Sequence, residues 1–223
     1  MRSTPDQGDC SKEEKNMTVN TGKRQTSDDL RRMTALSFLS ALIAVLSIVG
    51  NYLKIPIGPL TVPITLTLCP IIIGGALYGP LAGAFLGFVF GLVTFITGML
   101  GMDGGFVYML FTQNPFGLII MCFGKAILAG WVSAIVFKTV EDRSLKAASI
   151  SAGIVCPVVN TGFFIATMFL FFFGLVSGGA TDVGKNILNY VITAFVGINF
   201  LIELVINLVL SSAVTLIIKG RKK

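Results

Sequence analysis

After a polar opening, the chain becomes a succession of long apolar runs separated by Gly, Pro and short charged stretches. Six runs can be delimited, over 34–52, 64–78, 80–98, 116–137, 147–174 and 194–218. A membrane-crossing helix takes about 20 apolar residues, so five of the runs are long enough and the second is short. That second run ends at Tyr78, Gly79 and Pro80, a tight turn into the third. The pattern predicts an all-α membrane protein, a compact bundle of six transmembrane helices. Residues 1–26 are polar, charged and without apolar period, which predicts a disordered cytoplasmic tail before a transmembrane domain over 27–223. Ser27, followed by Asp28 and Asp29, is placed to cap the first helix with acids at its positive end.

Composition agrees and removes whole classes of function. Of the 223 residues 54% are hydrophobic and only 13% charged, with a mean hydropathy of +0.85. The runs use most of the chain after residue 33, leaving no room for a soluble catalytic domain. The sequence has no histidine, which takes away the usual general base, the commonest metal ligand and any Ser/His or Cys/His pair. Cys10 lies in the tail, and Cys69, Cys122 and Cys156 fall in or beside different runs, so they read as small buried residues rather than a disulfide or metal framework. Neither a metal nor a cofactor is expected. The first run has no small-residue cleavage site after it and should stay in the mature protein.

Six crossings put both termini on one side, and the basic residues say which. The tail, the loop carrying Lys138, Arg143 and Lys146, and the end with Lys219, Arg221, Lys222 and Lys223 share that side. The other side holds only Lys54 and Lys185. Positive charge stays inside, so both termini are expected in the cytoplasm of a bacterial plasma membrane. The formal +6 net charge is then topology plus attraction to anionic lipid, and it calls for no nucleic-acid partner.

Gly79, Gly83, Gly87 and Gly91 recur every fourth residue in the third run, a smooth helix face of the kind that lets membrane helices approach closely. Packing within the bundle is the plain reading; a surface for a partner or second copy is the other. The first run carries two further small-residue pairs, Ser37 with Ala41 and Ser40 with Ala44. Two outer connections are long. Residues 51–63, with Tyr52 and three prolines, form a rigid segment suited to capping a cavity, and the glycine-rich segment 98–113 suits opening and closing.

Ionisable residues inside the runs are costly and need a partner or an aqueous cavity. Two occur, Lys125 in the fourth run and Glu203 in the sixth, at similar depth. They suit either a structural ion pair or a polar pocket. Asn199, Glu203 and Asn207 form one stripe, Asn160 and Thr161 interrupt the fifth run after Pro157, and Gln113 and Asn114 precede Pro115. Together these groups offer donors and acceptors to a small polar molecule arriving from outside.

The segment Tyr52-Leu-Lys-Ile-Pro-Ile-Gly-Pro-Leu, the run Ile73-Gly-Gly-Ala-Leu-Tyr-Gly-Pro-Leu-Ala-Gly-Ala-Phe-Leu-Gly and the pair Asn160-Thr161 resemble the substrate-binding S components of energy-coupling factor (ECF) vitamin transporters, from about residue 30 to 220. Within that family the glycine-rich run and the Asn-Thr pair look most like pantothenate-type members. The resemblance implies six helices, a vitamin pocket near the outer face, and partners in a transmembrane T component and two ATPases. It also implies docking of the T component on a small-residue face of the first helix. There the family's Ala-x-x-x-Ala corresponds here to Ser37 and Ala41, or to Ser40 and Ala44. The implied role is a high-affinity receptor, not an enzyme. The substrate-binding candidates are Lys125, Glu203, Asn160, Thr161, Asn199, Gln113, Asn114 and Tyr52. No G-x-x-x-x-G-K-[ST] loop is present, so any ATP is hydrolysed by a partner.

Three other readings compete. A stand-alone secondary transporter would show internal repeats, and spans one to three do not match spans four to six. An intramembrane enzyme would need an acid/base pair, and a single deep carboxylate without histidine supplies none. A purely structural membrane protein would bind no small molecule.

Overall fold

The computed structural model describes the backbone of residues 7–52, 54–57, 60–63, 67–182, 186 and 197–221, with side chains over 29–52, 67–179 and 200–210 and at a few isolated positions. The chain divides into two units, Met1–Phe38 and Leu39–Lys223.

The first unit holds the beginning of helix α1 (Gln7–Tyr52). Helical backbone starts at Gln7, well ahead of the cap expected at Ser27, and runs through most of the segment for which composition pointed to disorder. Nothing there stops a helix. No proline occurs between Pro5 and Pro56, and Lys, Glu and Gln are good helix formers, so a helix fixed by its apolar part extends backward at little cost. Side chains of residues 7–28 lie outside the described residues.

In the second unit, β1 (Lys54–Ile57) and β2 (Leu60–Pro63) pair antiparallel, with Ile55 opposite Val62 and Ile57 opposite Leu60. Apart from this pair the described elements are helical, as expected, and a rigid connection was expected at this place. The β-branched residues and the two-residue Gly58-Pro59 connection favour a hairpin instead.

Helix α2 (Leu68–Tyr78) stops at Gly79, whose φ of 97° belongs to the left-handed half of conformational space. Pro80 then opens α3 (Pro80–Met99), as the sequence predicts. The segment expected to be a mobile loop is instead a pinned turn and a helix. Gly101, Gly104 and Gly105 all have positive φ, and Asp103 accepts the N–H groups of Gly105 (3.1 Å) and Val107 (2.7 Å) at the start of α4 (Phe106–Gln113). A carboxylate on the first N–H groups of a helix both satisfies donors and suits the helix dipole.

The next span is one helical path in three parts: α5 (Pro115–Ile119), a π turn (Ile120–Gly124) and α6 (Lys125–Glu141). Ser144 opens α7 (Leu145–Phe171), which contains Pro157 and so lacks one hydrogen bond to Gly153. Helices α8 (Phe173–Asp182) and α9 (Gly197–Arg221) follow.

The glycine face of α3 lies against α6. A Cβ on Gly83 would strike the Gly130 carbonyl, one on Gly87 the Ala126 carbonyl, and one on Gly91 would stand 2.8 Å from the Cys122 carbonyl. Each four-residue step forward on α3 is a four-residue step back on α6, so the helices are antiparallel with glycine at every crossing point. The plain reading of the stripe, close packing inside the bundle, is the one observed. A buried apolar cluster of Val107, Leu110, Leu118, Met121, Cys122, Met168, Phe172 and Val176 closes the Pro115 end, ringed by phenylalanines.

Among the described residues, four helical stretches are long and apolar enough to cross a membrane: Asp29–Tyr52, Pro80–Met99, Pro115–Glu141 and Leu145–Phe171. Leu68–Tyr78 and Phe200–Leu210 are shorter apolar helices, at the places of the second and sixth predicted spans. Large apolar side chains such as Leu81, Trp131, Leu170 and Val209 face outward. In water such a surface would aggregate; in lipid it is the expected exterior.

Candidate functional site

The site is built on the seam between α6 and α7. Four pairings along it share one antiparallel register. A Cβ on Gly117 would stand 2.7 Å from Phe171, and one on Gly124 would stand 2.6 Å from the Phe163 ring. The Lys125 Nζ lies 5.5 Å from the centre of the Phe164 ring, and Ser133 is within hydrogen-bonding reach of Cys156. Lys125 and Ser133 are eight residues apart on α6, as Phe164 and Cys156 are on α7. At 1.5 Å per residue, about 12 Å separates the two levels. Between them, level with Ala129, is Asn160.

The two levels differ in chemistry. At Lys125 the ammonium rests over an aromatic face, which offsets part of its dehydration. The π turn immediately before it re-aims the helix at that point, a device that often marks working sites. Ser133 and Cys156 are both buried, and the Ser133 hydroxyl also donates to the Gly130 carbonyl at 3.2 Å. Glu203 of α9 is 3% exposed and lies within electrostatic range of both Lys125 and Cys156. Among the described residues Lys125 and Glu203 make no direct ion pair: the cation has an aromatic partner and a carboxylate at longer range.

Asn160 is 8% exposed, and its side-chain Oδ1 has no hydrogen-bond partner among the described residues. A buried polar atom left without a partner costs about 1 to 3 kcal/mol, so its survival calls for an explanation. Thr67, at the start of α2, is fully buried and its Oγ1 is likewise unpartnered among the described residues. Sequence reading passed over Thr67 and Ser133, and took Cys156 only as a small buried residue. Hydroxyls and thiols are common in membrane helices, and nothing in their spacing singled these out.

The other predicted residues divide by burial. Thr161 is half-buried beside Asn160. Asn114 is occupied locally, its Oδ1 accepting the Gly117 N–H at 3.0 Å as the cap of α5. Asn207, from the stripe on α9, donates from Nδ2 to the Glu203 carbonyl at 2.8 Å. Gln113 and Tyr52 are exposed at the ends of α4 and α1, so neither belongs to the buried group. The Asn199 side chain lies outside the described residues. The structure therefore places Lys125 and Glu203 within electrostatic range of each other, with Asn160 buried one turn along α7 from Phe164.

Residues 31–218 match the family model described as ECF transporter, substrate-specific component. The chain belongs to this family. It is the substrate-specific component of an ECF transporter, a membrane transport protein and not an enzyme. A similar protein is the pantothenic acid transporter PanT of Lactococcus lactis subsp. cremoris (strain MG1363), 31% identical over 189 residues, which cover 80% of this chain and 90% of that protein. For an ECF substrate-specific component the interior is where a ligand belongs, and the polar seam of α6, α7 and α9 is the part of the described interior with charge and unspent hydrogen-bonding capacity.

Proposed function

We propose that this protein is the high-affinity membrane receptor for pantothenate, handing it to a T component and two cytoplasmic ATPases for ATP-driven import. It crosses the membrane six times, α2 and α9 making the second and sixth crossings, with both termini in the cytoplasm. The basic-residue bias supports this orientation, and so does Lys138, whose ammonium stands beside the α2–α3 turn at Gly79. An acceptor-rich helix end and a lysine suit the same side.

The observation that carries the substrate reading is Lys125. It is a cation inside a span, half-buried and, among the described residues, without a direct carboxylate contact. An anionic vitamin entering a low-dielectric site needs such a charge to offset its dehydration. The likeness to a pantothenic acid transporter over most of both chains supports the same choice.

Native mass spectrometry of the detergent-purified chain tests this. A receptor that scavenges a scarce nutrient retains it through purification, so a peak carrying one pantothenate is expected. Retention of a different vitamin would replace the substrate named here.

A further inference from the structure

Ala126, Ala129, Ser133 and Cys156 are all buried by direct helix contact, so a protein that admits a solute to its interior has to part some pair of helices. Resting on the receptor reading for that need, we infer that the bundle opens where α9 meets α7. Helix α9 moves away, while α3, α6 and α7 stay together as one block.

The block is held by contacts without slack. A Cβ on Gly83 or Gly87 of α3 would strike a carbonyl of α6, and Gly117 and Gly124 are covered by Phe171 and Phe163 of α7. Cys122 closes the same path against Met168 and Phe172 of α7. Helices that approach this closely lose many dispersion contacts at once when they separate. Helix α9 packs on α7 and α2, and its described inner face carries Glu203 and Asn207, both buried. Among the described residues these two groups do not tie α9 to the block. Asn207 spends its Nδ2 on the Glu203 carbonyl of its own helix, and Glu203 makes no direct ion pair with Lys125. Moving α9 therefore breaks neither a hydrogen bond nor a salt bridge of theirs. Water that follows it hydrates a carboxylate whose burial without a contacting cation is costly. The same water offers a donor to Asn160 Oδ1, which lacks one among the described residues and stands one turn from Cys156 on the same face of α7.

Two native thiols report the motion. Cys122 and Cys156 are both fully buried, so the closed structure protects them alike. Cys122 lies inside the block, whereas Cys156 lies where α6, α7 and α9 meet, against Ser133 and within electrostatic range of Glu203.

The test is modification of the folded, detergent-purified full chain by N-ethylmaleimide, followed peptide by peptide by mass spectrometry. Each rate is divided by that of the same thiol in the unfolded chain. Cys156 should react at least about tenfold faster than Cys122, as expected of a local opening that one site shares and the other does not. Asn207→Cys puts a thiol on the moving helix, and it should react within about threefold of Cys156. Saturating pantothenate should slow both by more than about tenfold, because a ligand that binds only the closed form favours it in proportion to its excess over Kd.

Equal normalised rates at Cys122 and Cys156, both fast or both negligible, would overturn the inference. So would a protected thiol at position 207 beside a reactive Cys156, which would place the movement in α7. The wild-type comparison of Cys122 with Cys156 carries the test if Asn207→Cys does not fold. Unslowed Cys156 in protein that calorimetry shows to bind pantothenate would overturn the link between opening and ligand. Protein that binds no pantothenate would overturn the pantothenate reading, and the contrast between Cys122 and Cys156 would still decide the opening.

Discussion

Lys125 stands where an ammonium is least welcome, since a lysine at the centre of a spanning helix costs about 2.5 to 3.5 kcal/mol to insert. The Phe164 ring recovers part of that, and Glu203 helps at longer range. The arrangement is understandable if an anion completes it. A direct test replaces both charges with neutral side chains of similar volume, Lys125→Met with Glu203→Gln. If the two were only a structural pair, the double variant would keep native ligand affinity, because neutral replacement of a buried pair is often harmless. The expected result is instead a loss of more than about a hundredfold by calorimetry, since a buried ligand carboxylate left unpaired forfeits about 3 to 5 kcal/mol. At this scale the sequence was informative where chemistry broke an apolar run: Lys125, Glu203 and Asn160 stood out at once. Thr67 and Cys156 did not, because a hydroxyl or thiol in a span is unremarkable until its partners, or their absence, are seen.

At the scale of elements, the α3–α6 contact is a close one that depends on glycine at successive crossing points. Gly87→Leu would drive a side chain into the Ala126 carbonyl. Overpacking of this kind costs about 1 to 3 kcal/mol, so a clear drop in melting temperature in detergent is expected. Gly162, on α7, has open space where a Cβ would go, and Gly162→Ala should be neutral or stabilising by about 0.5 to 1 kcal/mol. Equal effects at the two positions would contradict the packing account. The four long apolar helices were readable to within a few residues, as was the α2–α3 turn, because apolar length and the Gly79-Pro80 pair are local signals. The β hairpin, helix α4 and the π turn before Lys125 were not. Each is a few residues long and depends on a specific pairing: strand with strand, Asp103 with two N–H groups, a helix with one extra residue per turn. The start of α1 was also misplaced, since capping signals at Ser27 do not prevent a helix from continuing through good helix formers.

For the whole molecule, the proposed hand-over to an energised partner turns on which face of α1 is open, since the sequence carries no ATP-binding loop of its own. On α1, Ser37 and Ala41 are exposed, while Ser40 and Ala44 are half-buried and the Ser40 Oγ is enclosed. Of the two registers the sequence allowed, the exposed one is free to meet a T component, with Val45 and Ile48 continuing the Ala41 face. Ala41→Trp is therefore expected to reduce co-purification with the T component and ATPases while ligand affinity is kept, because close helix approach tolerates only small side chains. An intact complex in that variant would place docking elsewhere.

The central claim is that this chain by itself binds pantothenate within its transmembrane helices. Calorimetric titration of the detergent-purified wild-type protein with pantothenate, riboflavin, pyridoxine, thiamine, biotin and folate measures it directly. The account predicts saturable one-to-one binding of pantothenate far tighter than that of any other member of the panel, and no binding of the cation thiamine, which Lys125 would repel. Tight binding of another vitamin, or of none, would contradict it.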